Sequence, residues 1–139
     1  MPSHEVNENG RIRIGRWVIE SVCARVIDRF EGRILVSDQR GRLKHSGAES
    51  AEAEKGFARA RIRKGKLDIK LYLIVQFGVS MRGSAEELAM ALYKEFSKEA
   101  GMEVGLVTMV FVGTLSGKLS KRNIVFTYDG ELRELTENE

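Results

Sequence analysis

Between residues 58 and 77, hydrophobic and polar residues alternate along the chain, which predicts two strands. In "KLDIKLYLIVQF" every second residue is apolar, as expected for a strand with one buried face. These apolar positions are Leu67, Ile69, Leu71, Leu73, Val75 and Phe77. The preceding "ARARIR" alternates Arg59, Arg61 and Arg63 with small or apolar residues, so the arginines should face solvent or a partner. Lys64 and Gly65 suit a tight turn, which predicts a hairpin.

Two stretches repeat apolar residues every three to four positions, which predicts two amphipathic helices. The first runs from Trp17 to Phe30 and is followed by Gly32 as a helix stop. The second begins at Ser84, which forms a capping box with Glu87, and ends before Gly101. The inner positions are Ile19, Val22, Cys23, Val26, Ile27 and Phe30 in the first helix, and Leu88, Ala89, Leu92, Phe96 and Ala100 in the second.

Four further segments read as strands: residues 11–15, 33–37, 103–113 and the segment "NIVFTYDGELREL", which contains an Asp-Gly turn. The strand at 103–113 is apolar on both faces, as in a central strand or one that meets another subunit. We therefore predict a single small α+β domain. Its sheet should be mostly antiparallel or mixed, with both helices packed on one face.

The chain has 139 residues, a length typical of one domain. We expect a flexible N-terminus at 1–10 and an α+β domain at 11–115 with a mobile, glycine-rich insertion at 39–56. A strand-like extension and acidic tail should follow at 116–139. No apolar run approaches the ~20 residues of a membrane-spanning helix, and no leader pattern is present. A single cysteine fits a reducing compartment, so we expect a cytoplasmic protein.

Catalytic motifs are weak in this sequence. "GTLSGKL" at 113–119 has the wrong glycine spacing for a phosphate-binding loop, and no hydroxyl residue follows its lysine. Cys23 falls on the apolar stripe of the first helix, where a cysteine behaves as a small hydrophobe. His4 and His45 have no acid or thiol at metal-ligand spacing. We expect no enzyme activity, no metal and no cofactor.

The acidic residues that could serve in acid-base catalysis each have a structural role that accounts for them. Asp68 lies on the polar face of a strand, and Glu86 and Glu87 belong to a helix start. An anion site is a further candidate in the loop "GVSMRGS", which leads into a helix N-terminus with free N–H groups. Its residues would be Gly78, Arg82, Gly83 and Ser84.

The chain resembles the alkaline shock protein family, also called the envelope stress response family. Glu31 and Gly32 match the family's first turn, and Phe77 and Gly78 match its second. The last matching motif comprises Gly101, Met102, Val104, Val107, Met109 and Phe111. The resemblance implies a non-enzymatic bacterial protein of cell-envelope stress and maintenance that self-associates. It would be either free in the cytoplasm or held at the inner face of the membrane by a protein partner.

Two functions from different classes follow. The leading one is an interaction protein that uses protein partners and forms homo-oligomers, with Arg59, Arg61, Arg63, Met109 and Phe111 facing the partner. The alternative is a small RNA-binding module that uses the three arginines. The net charge of +3 is too mild to decide between them. Exposed stacking aromatics are scarce near the arginines, which disfavours RNA.

Overall fold

The computed structural model describes residues 4–6, 12–14, 16–37, 57–116 and 118–135. Strands β1 (His4–Val6) and β2 (Ile12–Ile14) form a two-stranded antiparallel sheet. The strand expected near residues 11–15 is therefore present. The N-terminus, expected to be flexible throughout, instead contributes residues 4–6 to a paired strand.

Helix α1 (Arg16–Asp28) precedes strand β3 (Ile34–Val36), and strands β4 (Ala58–Arg63) and β5 (Lys66–Gln76) follow as a hairpin. Between β4 and β5, Lys64 and Gly65 have φ angles of 54° and 79°. Positive φ at both central residues is the requirement of a type I′ turn, whose twist matches that of the flanking strands. The hairpin predicted from the sequence is thus confirmed.

Helix α2 (Met81–Ala100) links β5 to strand β6 (Val104–Ser116), and strands β7 (Lys118–Tyr128) and β8 (Leu132–Leu135) complete the chain. The main sheet has six strands in the order β3-β5-β6-β7-β8, with β4 also paired to β5. Only β5 and β6 run parallel, and α2 provides the long connection that a parallel pair needs. The predicted α+β domain with a mixed sheet is confirmed.

Residues 118–128 and 132–135 belong to this sheet. Strand β7 pairs with β6 from Val107–Tyr128 to Ser116–Lys118, and β8 pairs with β7. A domain boundary at 116, as expected from the sequence, would cut the β6–β7 hairpin. The segment is therefore an integral part of the domain.

Strands β3 and β4 lie end to end along the same side of β5. Ser37 donates its backbone N–H to the carbonyl of Tyr72 at 2.9 Å, and Tyr72 donates its own N–H to the carbonyl of Phe57 at 2.9 Å. Ser37 and Phe57 thus both lie opposite one residue of β5. The insertion expected at 39–56 lies outside the described residues.

The core contains the predicted inner positions of both helices, all of them buried. Leu67, Ile69, Leu71, Leu73 and Val75 of β5 pack in the same core. Phe77 does not, because β5 ends at Gln76 and the chain turns at Gly78 with a φ of 90°. Its side chain is 73% exposed, so its predicted burial is wrong.

Candidate functional site

The β4–β5 hairpin carries a row of cationic side chains on one face. Across the ladder, Arg59 lies opposite Lys70, Arg61 opposite Asp68, and Arg63 opposite Lys66. Residues directly opposite each other project to the same face of a sheet. All five cationic residues are exposed, so the predicted exposure of the three arginines is confirmed. We call the surface formed by these six residues the basic face.

A shallow pocket of about 250 Å³ opens on the basic face. Three cationic residues, one carboxylate and one hydroxyl contribute to its lining. The lining residues are Arg59, Ala60, Arg61, Asp68, Ile69, Lys70, Leu106 and Thr108. The pocket therefore spans β4, β5 and the neighbouring strand β6.

The side chain of Asp68, which lines this pocket, connects β5 to its two neighbouring strands, β4 and β6. Arg63 Nε donates to Asp68 Oδ2 at 2.6 Å, and the backbone N–H of Leu106 donates to Asp68 Oδ1 at 3.1 Å. Strand β6 advances from Val104 to Val107 while β5 advances only from Leu67 to Ile69, which is a β-bulge. The bulge takes Leu106 out of the regular ladder, and the Asp68 carboxylate accepts its N–H.

Gly105 makes this arrangement sterically possible. A Cβ atom at this position would lie 2.9 Å from Asp68 Oδ1 and 3.1 Å from Lys66 Cβ. In addition, the Tyr93 hydroxyl of helix α2 donates a hydrogen bond to the Gly105 carbonyl. The bulge is therefore fixed by two side chains, and the structural interpretation of Asp68 is supported.

Arg63 pairs with Asp68, and Lys66 Nζ lies 3.4 Å from Glu103 Oε2, so the other exposed cations of the basic face are Arg59, Arg61 and Lys70. Arg61 makes no ion pair within the described part of the chain, although it lies directly across from Asp68. Lys70 Nζ lies 5.5 Å from the ring centroid of Tyr72, which is itself buried. Three neighbouring positive charges create a potential that attracts an anionic group.

The assignment of Met109 and Phe111 to a partner-facing surface is wrong for the folded chain. Both side chains are 0% exposed. Phe111 packs edge to face against Phe126, with ring centroids 6.0 Å apart. Both point into the core shared with the helices, while Leu106 and Val112 are only half-buried. Self-association stays a prediction, without these two contact residues.

The anion site expected at Gly78, Arg82, Gly83 and Ser84 is also not supported. Helix α2 begins at Met81 with Ser80 as its N-cap, one turn before the predicted start at Ser84. Gly83 N donates to Ser80 Oγ and Ser84 N donates to the Ser80 carbonyl, both at 3.0 Å. Ser84 is buried. Two of the expected donors are thus used within the helix start.

Arg82, the cation of that expected site, also has other partners. Its Nη2 atom lies 3.4 Å from Glu134 Oε1, and its guanidinium lies 5.5 Å from the ring centroid of Phe126. The side chain therefore joins the start of α2 to strands β7 and β8. Because Arg82 is paired with Glu134, its charge is not available to bind an anion at this loop.

Two of the remaining residues or segments weighed as possible catalytic or ligand-binding sites have structural roles. Cys23 is fully buried, and desolvation raises the pKa of its thiol, which suppresses the reactive thiolate. The segment from Gly113 to Ser116 ends β6, and Lys118 begins β7, so the region that weakly resembles a phosphate-binding loop is a hairpin. The side chains of His4 and His45 lie outside the described residues.

No protein family, curated protein or solved structure matches this chain. Among the residues that the structure describes, no three His, Cys, Asp or Glu side chains come together to hold a metal ion. In the same residues, neither helix is long and apolar enough to cross a membrane.

Proposed function

We propose that this chain is a non-enzymatic interaction protein of the alkaline shock type, and that its basic face binds an acidic segment of a protein partner. The observation that carries the proposal is the cluster of Arg59, Arg61 and Lys70 around a pocket on an exposed sheet surface. Electrostatic complementarity of this kind accelerates association and selects partners of opposite charge. The acidic segment would place carboxylates over these three cations.

The conformations of the glycines that carry the family resemblance support the alkaline shock part of the proposal. Gly32, Gly78 and Gly101 have φ angles of 87°, 90° and 62°, which L side chains rarely adopt. The motif residues Met102, Val104, Val107, Met109 and Phe111 are all buried. A protein of this type would act either free in the cytoplasm or at the inner face of the membrane through its partner.

An RNA-binding module is the second candidate, because the same arginines would attract phosphates. Its weakness is the lack of stacking surfaces. Of the aromatic side chains whose exposure the structure describes, Phe77 is the only exposed one. It lies seven residues beyond Lys70, roughly 23 Å along the strand at 3.3 Å per residue. Tyr72, which is closer, is 9% exposed and presents little ring surface for a base.

We expect Arg61→Glu to weaken binding of a fluorescent glutamate-rich peptide by about tenfold or more, because it replaces a cation of the pocket with a repelling carboxylate. Fluorescence anisotropy in low salt measures the dissociation constant. Added sodium chloride should weaken the wild-type complex, since exposed charges are screened. The matched control is Arg122→Glu on β7, an exposed arginine whose guanidinium donates to the Lys121 carbonyl.

Equal affinities for the wild type and Arg61→Glu would overturn the docking proposal. A single-stranded RNA of the same length as the peptide serves as the competing ligand. Salt-sensitive RNA binding that exceeds peptide binding and is lost in Arg59→Glu would favour the RNA alternative.

A further inference from the structure

Strand β4 has one row of backbone hydrogen-bonding groups that no strand of the described residues pairs with. In the described part of the chain, β4 pairs with β5 alone. The bond from Tyr72 N to the Phe57 carbonyl marks these two residues as a hydrogen-bonded pair. Such pairs alternate with non-bonded pairs along an antiparallel ladder. The backbone groups of Arg59, Arg61 and Arg63 therefore face β5.

The intervening residues have the opposite orientation. The N–H and C=O groups of Ala58, Ala60 and Ile62 point away from β5, toward the open side of the strand. The type I′ turn at Lys64 and Gly65 gives the same register. In such a hairpin, the residues that flank the turn form a hydrogen-bonded pair, and here they are Arg63 and Lys66. Ala58 is 3% exposed, so the donors and acceptors that the edge offers are those of Ala60 and Ile62.

The side chains on the two faces of β4 differ in character, one face being cationic and the other apolar. The three arginines lie on the basic face, and Ala58, Ala60 and Ile62 lie on the face toward the core. Ile62 remains 40% exposed near the end of the strand. A strand added here would meet cations on one flank and an apolar side chain on the other.

We propose that the acidic segment of the partner binds as an extended strand alongside β4 and continues the sheet. This inference rests on the function proposed above and specifies the mode of binding. Main-chain hydrogen bonds supply affinity in strand addition, and alternate side chains supply selectivity. The preferred segment carries Asp or Glu at alternate positions over Arg59 and Arg61 and apolar residues at the positions between. Strand β4 is 6 residues long.

The opposite edge of the sheet fits an acidic strand poorly. Strand β8 is only 4 residues long. Its one cation, Arg133, lies 3.2 Å from Asp129 Oδ2 and 3.0 Å from Glu131 Oε1. Its charge is therefore already compensated, whereas Arg61 on β4 is available.

The first test varies the peptide and leaves the protein unchanged. A peptide of about eight residues that alternates glutamate and valine should bind roughly tenfold more tightly than a peptide of the same composition with the glutamates in one block. N-methylation at every second residue removes one row of peptide donors. Methylating the row that faces β4 should cost about tenfold in affinity, and methylating the other row should cost little.

The second test removes a donor from the edge of the protein. Ala60→Pro deletes an N–H that points away from β5, a position where a strand tolerates proline. We expect it to weaken binding of the alternating peptide about tenfold, and we expect Ala60→Ser, which changes the same side chain but keeps the N–H, to weaken binding much less. Circular dichroism and thermal unfolding establish that both variants are folded.

The outcomes separate this inference from the proposed function. Binding that is lost in Arg61→Glu but unchanged by Ala60→Pro and by either N-methylated row would overturn strand addition and retain acidic docking. Binding that is unchanged in Arg61→Glu would overturn both. If Ala60→Pro does not fold, the two N-methylated peptides decide the question on the wild-type protein.

Discussion

Replacement of Leu73 by aspartate is expected to unfold the protein. Leu73 is 0% exposed at the centre of β5, between Val36 of β3 and Phe111 of β6. A carboxylate there has no partner and cannot be hydrated without opening the core. The cost is at least about 4 kcal/mol, a large share of the ~5–15 kcal/mol that stabilises a small domain. Far-UV circular dichroism and urea denaturation measure the loss.

Lys70→Asp is the matched control, because it introduces the same carboxylate into the same strand at an exposed position. Its free energy of unfolding should stay within about 1 kcal/mol of the wild type. A Leu73→Asp variant that is soluble and unfolds cooperatively near the wild-type midpoint would show that the faces of β5 are assigned in reverse.

Phe111→Ala is expected to lower the free energy of unfolding by about 3–5 kcal/mol. The ring is fully buried and packs edge to face on Phe126, so truncation leaves a cavity in the core. Urea denaturation of wild type and variant measures the difference. The same substitution at a partner-facing residue would change association and leave stability nearly intact.

Phe77→Ala provides the comparison, because that ring is 73% exposed. Its effect on the free energy of unfolding should be about 0.5 kcal/mol or less. If Phe111→Ala were as mild as Phe77→Ala and altered the sedimentation coefficient instead, Phe111 would be a surface contact and its placement in the core would be incorrect.

The elements with strong local periodicity could be predicted from the sequence. The buried stripes of α1 and α2 follow from the 3.6-residue repeat, and the inward residues of β5 follow from alternation. Alternation does not indicate where a strand ends, so the burial of Phe77 was predicted wrongly. The start of α2 was predicted at Ser84, whereas Ser80 caps the helix and Ser84 is buried within the fold.

The two faces of β6 could not be distinguished in the sequence, since both are apolar. Only packing against the helices shows that Met109 and Phe111 lie in the core. The arginine row of β4 was predictable, because its alternation is local. The bond between Asp68 and Leu106 was not, since it joins residues 38 positions apart. Gly105 within an apolar run was the available signal for a bulge.

The double pairing of Tyr72 has a consequence for insertions and deletions. Because Ser37 and Phe57 are both bonded to this one residue, the register of β3 and β4 against β5 is set independently of the number of codons between them. The entropic cost of closing a loop rises only slowly with its length, by about 0.6 kcal/mol per doubling. A change in the number of residues between these two anchor residues is therefore expected to leave the register of the basic face unchanged.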